Sequence, residues 1–213
     1  LEHLLLAMLA GLVGDAGAPR TPEPLLDALA REATEAVAAL GRERVSIAFR
    51  GDNVYPHGLR APDHPDRARD EARLLSQLAV VHGSGARGWF VPGNHDWENG
   101  GDAGWEAMQR ATRFVAARGA QVVPPNGCPS PVVLQLGASA MLVFLDTQWW
   151  LHTGPKPQGD VSPCAAAREG DVGAALLRHL EIERAHGVGA SMGGMIAQHM
   201  AVRHTDPVRS LVL

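Results

Sequence analysis

The sequence predicts an α/β fold built on a mostly parallel sheet. Apolar runs of strand length alternate with helix-length segments, and the early runs end in glycine-containing polar turns. Three of those turns carry carboxylate, amide or imidazole side chains. In open parallel sheets, ligands gather beyond the carboxyl ends of the strands, where such turns lie.

The apolar run 4–13 reads as the first core strand and delivers Asp15 at its end. It is too short to span a bilayer, and neither a basic segment before it nor a cleavage site marks it as a signal. Residues 23–40 form an alanine-rich helical pattern, with Thr21 as the expected cap and Pro22 suited to the first turn. Residues 45–49 read as a strand entering Gly51-Asp52, and 88–91 as a strand entering Gly93-Asn94. Between them, 65–81 has helical spacing, with Leu74, Leu75 and Leu78 on one side. A helix over 104–118 precedes two apolar stretches, 132–136 and 140–145, joined by Gly137-Ala138-Ser139 as a hairpin or as neighbours in a second sheet. Trp149 and Trp150 follow, and then a proline- and glycine-rich loop or linker over 154–163.

A chain of 213 residues with 46% hydrophobic content and a net charge of −4 is that of a globular protein of one large or two small domains. Such a charge gives no nucleic-acid footprint, which needs a basic face or stripe. The start at Leu1, without methionine, predicts an N-terminus that is processed, cut or incomplete. Cys128 and Cys164 sit beside prolines at a spacing unlike a zinc-binding pair. They are either a disulfide, which suits an exported or periplasmic protein, or two thiols of a cytoplasmic one.

Gly14-Asp15-Ala16-Gly17, Gly51-Asp52-Asn53-Val54-Tyr55 and Gly93-Asn94-His95-Asp96 supply the donors a two-metal phosphoesterase uses. A carboxylate bridging two cations holds them where attacking and leaving oxygens are both stabilised, and Asp52 is the expected bridge. Asp15 and a Tyr55 phenolate suit a hard trivalent ion, and the amide oxygen of Asn94 suits a divalent partner. His95 is placed to contact phosphate or protonate the leaving alkoxide. Taken one at a time, Gly-Asp and Asn after a strand are also ordinary turn chemistry.

The ordered triple DxG, GDxxY, GNHD resembles the calcineurin-like metallophosphoesterases, and its tyrosine resembles their purple acid phosphatase branch. The resemblance covers about residues 9–168, including Leu145-Asp146-Thr147-Gln148-Trp149-Trp150. It implies an αββα sandwich, here incomplete, and a dinuclear centre of Fe with Zn or Mn that hydrolyses a small phosphate ester. Asp15 and Tyr55 would hold one metal, Asn94 the other, Asp52 both, and His95 the substrate, with His57, Trp97 and Trp149 as candidates for lining the cleft. The family's later histidine and GHxH-type motif have no counterpart after Trp150: His152, His179 and His186 stand in other contexts.

Beyond about residue 171 the text changes. Gly189-Ala190-Ser191-Met192-Gly193 and its flanks, over about 171–213, resemble the α/β-hydrolase nucleophile elbow, with Ser191 as nucleophile and the Met192 N–H toward an oxyanion hole. That family also needs an acid and then a histidine after the serine, whereas His204 precedes Asp206. His82-Gly83-Ser84-Gly85 resembles an oxyanion HGxG but reads as a loop in the earlier part. The expected domains are therefore 1–168 and 171–213. The expected function is metal-dependent phosphate-ester hydrolysis, impaired by the missing histidines. The alternatives are a serine hydrolase acting through Ser191 and an inactive chimera joined near 168–172.

Overall fold

The computed structural model describes residues 9–18, 23–128, 131–136, 140–156, 181, 183, 185–188, 198, 201–202 and 208–212. The chain divides into two units, Leu1–Cys164 and Ala165–Leu213.

In the first unit, β1 (Leu9–Val13), β2 (Val45–Arg50), β3 (Arg87–Val91) and β4 (Gln121–Val122) pair in parallel, in the order β1-β2-β3-β4. The crossovers are α1 (Pro24–Leu40), α2 (Arg67–Ser84) and α3 (Gly104–Ala116). Alternation along β2 sorts the two faces of the sheet. Val45, Ile47 and Phe49 share one core with Leu26 and Ala33 of α1, Leu74, Leu78 and Val81 of α2, and Met108, Phe114 and Val115 of α3. Phe49 stacks on Phe90 with ring centroids 4.8 Å apart. Each fully buried side chain of this size contributes about 1.5–3 kcal/mol. Ala48 belongs to a second core with Val123 and Phe144, against which Trp89, Val91, Val132, Leu134 and Leu142 pack.

That second core forms under the antiparallel hairpin of β5 (Val132–Leu136) and β6 (Ala140–Phe144), registered Val132 to Phe144 and Leu134 to Leu142. The first unit is thus a helix layer, a parallel sheet and a hairpin. Val133 and Val143, paired across the strands, remain exposed on the hairpin's other side.

Several local expectations change. The cap of α1 is Glu23, whose carboxylate accepts the Leu25 N–H at 3.4 Å, with Pro24 opening the helix; Thr21 lies outside the described residues. His82-Gly83-Ser84-Gly85 is no loop: it is the last turn of α2, ended by Gly85 at φ 72, and the His82 ring bonds the Arg118 carbonyl. Cys128 is disulfide-bonded, and Cys164 lies outside the described residues. In the second unit β7 (Ala185–Val188) pairs in parallel with β8 (Val208–Val212). Among the described residues, no helix is long and apolar enough to cross a membrane.

Trp97 and Trp149 do not line a cleft. They are 0% and 6% exposed, in edge-on contact at 6.2 Å, with Trp105 against both. Such aromatic pairs add about 0.5–1.5 kcal/mol each beyond burial. Asp146, just after β6, holds the cluster together: one oxygen accepts the Trp97 indole N–H at 2.9 Å, and the other accepts the Gln148 N–H at 3.0 Å. Gln148 begins the single helical turn α4 (Gln148–Leu151). His152, 1% exposed, packs at a tilt against Trp97 with ring centroids 4.9 Å apart, and neither ring nitrogen has a hydrogen-bond partner among the described residues.

Burial pushes the Asp146 carboxyl up to about 7, against the opposing effect of its hydrogen bonds from Trp97 and Gln148. Burial holds the His152 imidazole below its ordinary value. Between about pH 4 and 7, folded Asp146 keeps a proton that the unfolded chain releases, so its contribution to stability falls as pH rises through that window and is constant above it. His152 acts in the opposite sense below about pH 6.5, because the unfolded chain then binds a proton that the folded one resists. Asp146→Asn removes only the first slope. Thermal melts from pH 4 to 8 should show the Tm difference, wild type minus variant, shrinking as pH rises to about 7. A difference that stays constant across that range would refute the assignment.

Candidate active site

β1, β2 and β3 run parallel, so the turns that follow them emerge side by side. Register pairs Val13 with Phe49 and Arg50 with Val91, and backbone bonds continue the pairing into the turns: Asp15 N–H to Gly51 O at 3.2 Å, Gly17 N–H to Asp52 O at 2.9 Å, Gly51 N–H to Val91 O at 2.9 Å. Two glycines permit this approach. A Cβ at Gly17 would lie 2.3 Å from the Asp52 carbonyl, and one at Gly93 would lie 2.2 Å from the Asp52 carboxylate.

Asp15 and Asp52 both hold left-handed backbone, at φ 58 and 54. That conformation costs a non-glycine residue about 1–2 kcal/mol and persists only where the surroundings enforce it. Its result is convergence: the Tyr55 hydroxyl lies 2.5 Å from an Asp15 oxygen and 3.0 Å from Asp52 Oδ2. Burial and these two carboxylates raise the Tyr55 phenol well above its ordinary value, so it keeps its proton between them.

The third turn joins through Asp52. Its other oxygen, Oδ1, accepts the His95 backbone N–H at 3.1 Å. The His95 ring lies 4.2 Å from the Tyr55 ring, and its Nδ1 is 2.8 Å from the Pro56 carbonyl. A carbonyl only accepts, so Nδ1 carries the hydrogen and Nε2 is left for other chemistry. Asn94 donates its amide N–H to the Asn99 side chain at 2.9 Å, leaving its own oxygen uncommitted by that bond.

The segment 55–60 is gripped from outside. The Arg73 guanidinium donates to the Tyr55 carbonyl, Arg110 Nε to the Leu59 carbonyl at 2.7 Å, and Arg67 to the Arg60 carbonyl. Asp70, fully buried, pairs with Arg60 at 3.2 Å. His57, at the middle of this segment, is exposed.

The sequence-predicted residues Asp15, Asp52, Tyr55 and His95 are thus brought together, and Asn94 stands beside His95. Ser191 lies outside the described residues. Among the described residues no group of three or more His, Cys, Asp or Glu side chains is arranged to hold a metal. The oxygen set of Asp15, Asp52 and Tyr55 still has the chemistry of a hard-cation site. Sequence reasoning missed Asp96 and the Pro56 carbonyl. Asp96 was signalled only as the last residue of its motif, and a backbone acceptor leaves no mark in a sequence.

The α/β-hydrolase fold family matches residues 155–213, a span that begins before the expected boundary at 171. A search of the curated proteins finds no match to the chain. The family match does not reach the three converging turns and does not bear on the metallophosphoesterase resemblance. In its C-terminal part the chain is similar to the α/β-hydrolase fold.

Proposed function

We propose that the chain is a hydrolase whose first unit carries an impaired metal-dependent site for small phosphate esters. One observation carries the reading: a tyrosine hydroxyl set between two aspartates, both in left-handed backbone, at the carboxyl edge of a parallel sheet. Asp15, Asp52 and Tyr55 would hold a hard cation, with Asp52 and Asn94 the available donors for a second. Bound cations would supply Lewis acidity and an activated water. The remaining roles belong to the chain. Pro56 fixes the His95 tautomer with the hydrogen on Nδ1, so Nε2 accepts in the neutral ring and, only once it has taken up a proton, would donate to phosphate or give that proton to a leaving alkoxide. The later histidines that the resemblance implies have no counterpart among residues 151–213, and a centre held by the remaining ligands alone would bind metal weakly and turn over slowly. The Cys128 disulfide favours an exported or periplasmic setting.

A second reading, a serine hydrolase acting through Ser191, has the family match in its favour, and the comparisons speak for it rather than for the first. β7 ends at Val188, directly before Gly189-Ala190-Ser191, and has a parallel neighbour in β8, as a strand feeding a nucleophile elbow would.

Elemental mass spectrometry of desalted protein expressed with Fe, Zn and Mn tests the first reading. At least about one ion per chain is expected in the wild type and none in Asp52→Asn. Hydrolysis of p-nitrophenyl phosphate should vanish in Asp52→Asn and persist in Ser191→Ala. Metal-free wild-type protein, or hydrolysis lost only in Ser191→Ala, would overturn it.

For the second reading, a fluorophosphonate probe followed by peptide mass spectrometry should place its label on Ser191. Unlabelled Ser191 in folded protein removes that reading. Protein with neither metal nor label is an inactive chimera.

A further inference from the structure

We infer that Asp96 is the positioning residue of the site: a buried carboxylate that ties the turn carrying Asp52 and Tyr55 to the turn carrying Asn94 and His95. The inference rests on the reading of those turns as a site, and it concerns what keeps them in register.

Asp96 is 4% exposed. Its Oδ2 accepts the Gly93 N–H at 2.9 Å, the Asn53 N–H at 3.0 Å and the Asn53 side-chain N–H at 3.1 Å, and its Oδ1 accepts the Val54 N–H at 3.0 Å. Four donors from the turns after two neighbouring strands therefore converge on one side chain. Three of them are backbone groups, so the tie sets main-chain geometry. An ionised carboxylate has acceptor sites for all four, whereas the amide of asparagine offers one oxygen and turns N–H hydrogens toward the donors. Asn53 extends the tie, donating to the Val91 carbonyl at 2.8 Å and accepting on its own carbonyl from Gln77 at 2.8 Å.

Asp96 touches neither Tyr55 nor the carboxylate of Asp15 through any of these bonds. It acts through the peptide after Asp52. With the Asn53 and Val54 N–H groups aimed at Asp96, residue 52 stays in its left-handed conformation, its carboxylate pointing away toward the Tyr55 hydroxyl and the His95 N–H. The His95 N–H bonds Asp52, not Asp96, so its protection from exchange reports the spacing between the two turns.

The test compares full-length wild type, Asp96→Asn and a control, Val45→Ala, which opens the core at the far end of β2. Amide hydrogen exchange on metal-free protein should show His95 losing at least about tenfold protection in Asp96→Asn relative to the control, with the β2 amides of the two variants alike. Mn(II) titration should show affinity about 10–100-fold weaker in Asp96→Asn and unchanged in the control. His95 protection equal to the control's would overturn the inference. Wild-type protein that binds no Mn(II) would sink the metal reading alone, since the exchange comparison still decides the role of Asp96. Should Asp96→Asn not fold, Asn53→Ala, which removes one of the four bonds, carries the test. A smaller loss at His95 is then expected, and no loss overturns the inference.

Discussion

The parallel register of β1, β2 and β3 is the constraint on which the rest depends. Parallel strands release their chains on one edge, and the pairing of Val13 with Phe49 and Arg50 with Val91 leaves the following turns in backbone contact. Side chains cannot then be placed independently. Gly17 and Gly93 are the contact points, and a Cβ at either would collide with the Asp52 turn. The helix-side core of Ile47, Phe49 and Phe90 supplies the energy that holds this edge in place.

Buried carboxylates do the remaining fastening in the first unit, two of them joining segments more than forty positions apart. Asp96 ties the β2 turn to the β3 turn, Asp146 ties the end of β6 to Trp97, and Asp70 ties α2 to Arg60. Burying such a group is costly unless its acceptor sites are filled, and the gain is specificity of arrangement more than net stability. Asp96 and Asp146 are filled chiefly by neutral N–H donors, and burial drives both upward, to about 6 and about 7. Asp70 instead meets guanidinium groups. The same carboxylate chemistry thus serves as a dipole acceptor at the site and as an ion-pair partner behind it.

The layout of helices and strands was legible because it rests on local signals. The runs at 45–49 and 88–91 are apolar and bounded by polar turns, and α2 buries Leu74 and Leu78 one turn apart, whereas Leu75, read on the same side, is exposed because it lies about 100° around the helix from Leu74. The two-residue β4 and the single-turn α4 carry no periodicity to detect. Asp15, Asp52 and Tyr55 were legible as neighbours, because each follows a strand whose turn lies at the carboxyl edge of one parallel sheet. Trp97 and Trp149 were misplaced in a cleft because indole is ambiguous. A tryptophan reads as buried only once its N–H has an acceptor, and for Trp97 that acceptor is Asp146, 49 positions away. Cys128 was ambiguous for the same reason: spacing alone does not say what a thiol faces.

A turn-only account of the carboxyl edge explains less than the site does. Turns tolerate aspartate in left-handed backbone, because its short side chain bonds locally, so one such residue proves nothing. Here Asp15 spends its carboxylate outside its own turn, and Asp52 spends one oxygen within its turn and the other outside it. Asp15 reaches the Tyr55 hydroxyl 40 positions on, and Asp52 divides its oxygens between Tyr55 and the N–H of His95. Glycine at 15 or 52 would satisfy the backbone more cheaply and would bring no oxygen to the phenol. Two conformational costs are thus borne to set two carboxylates around one tyrosine, an arrangement that turn geometry does not require.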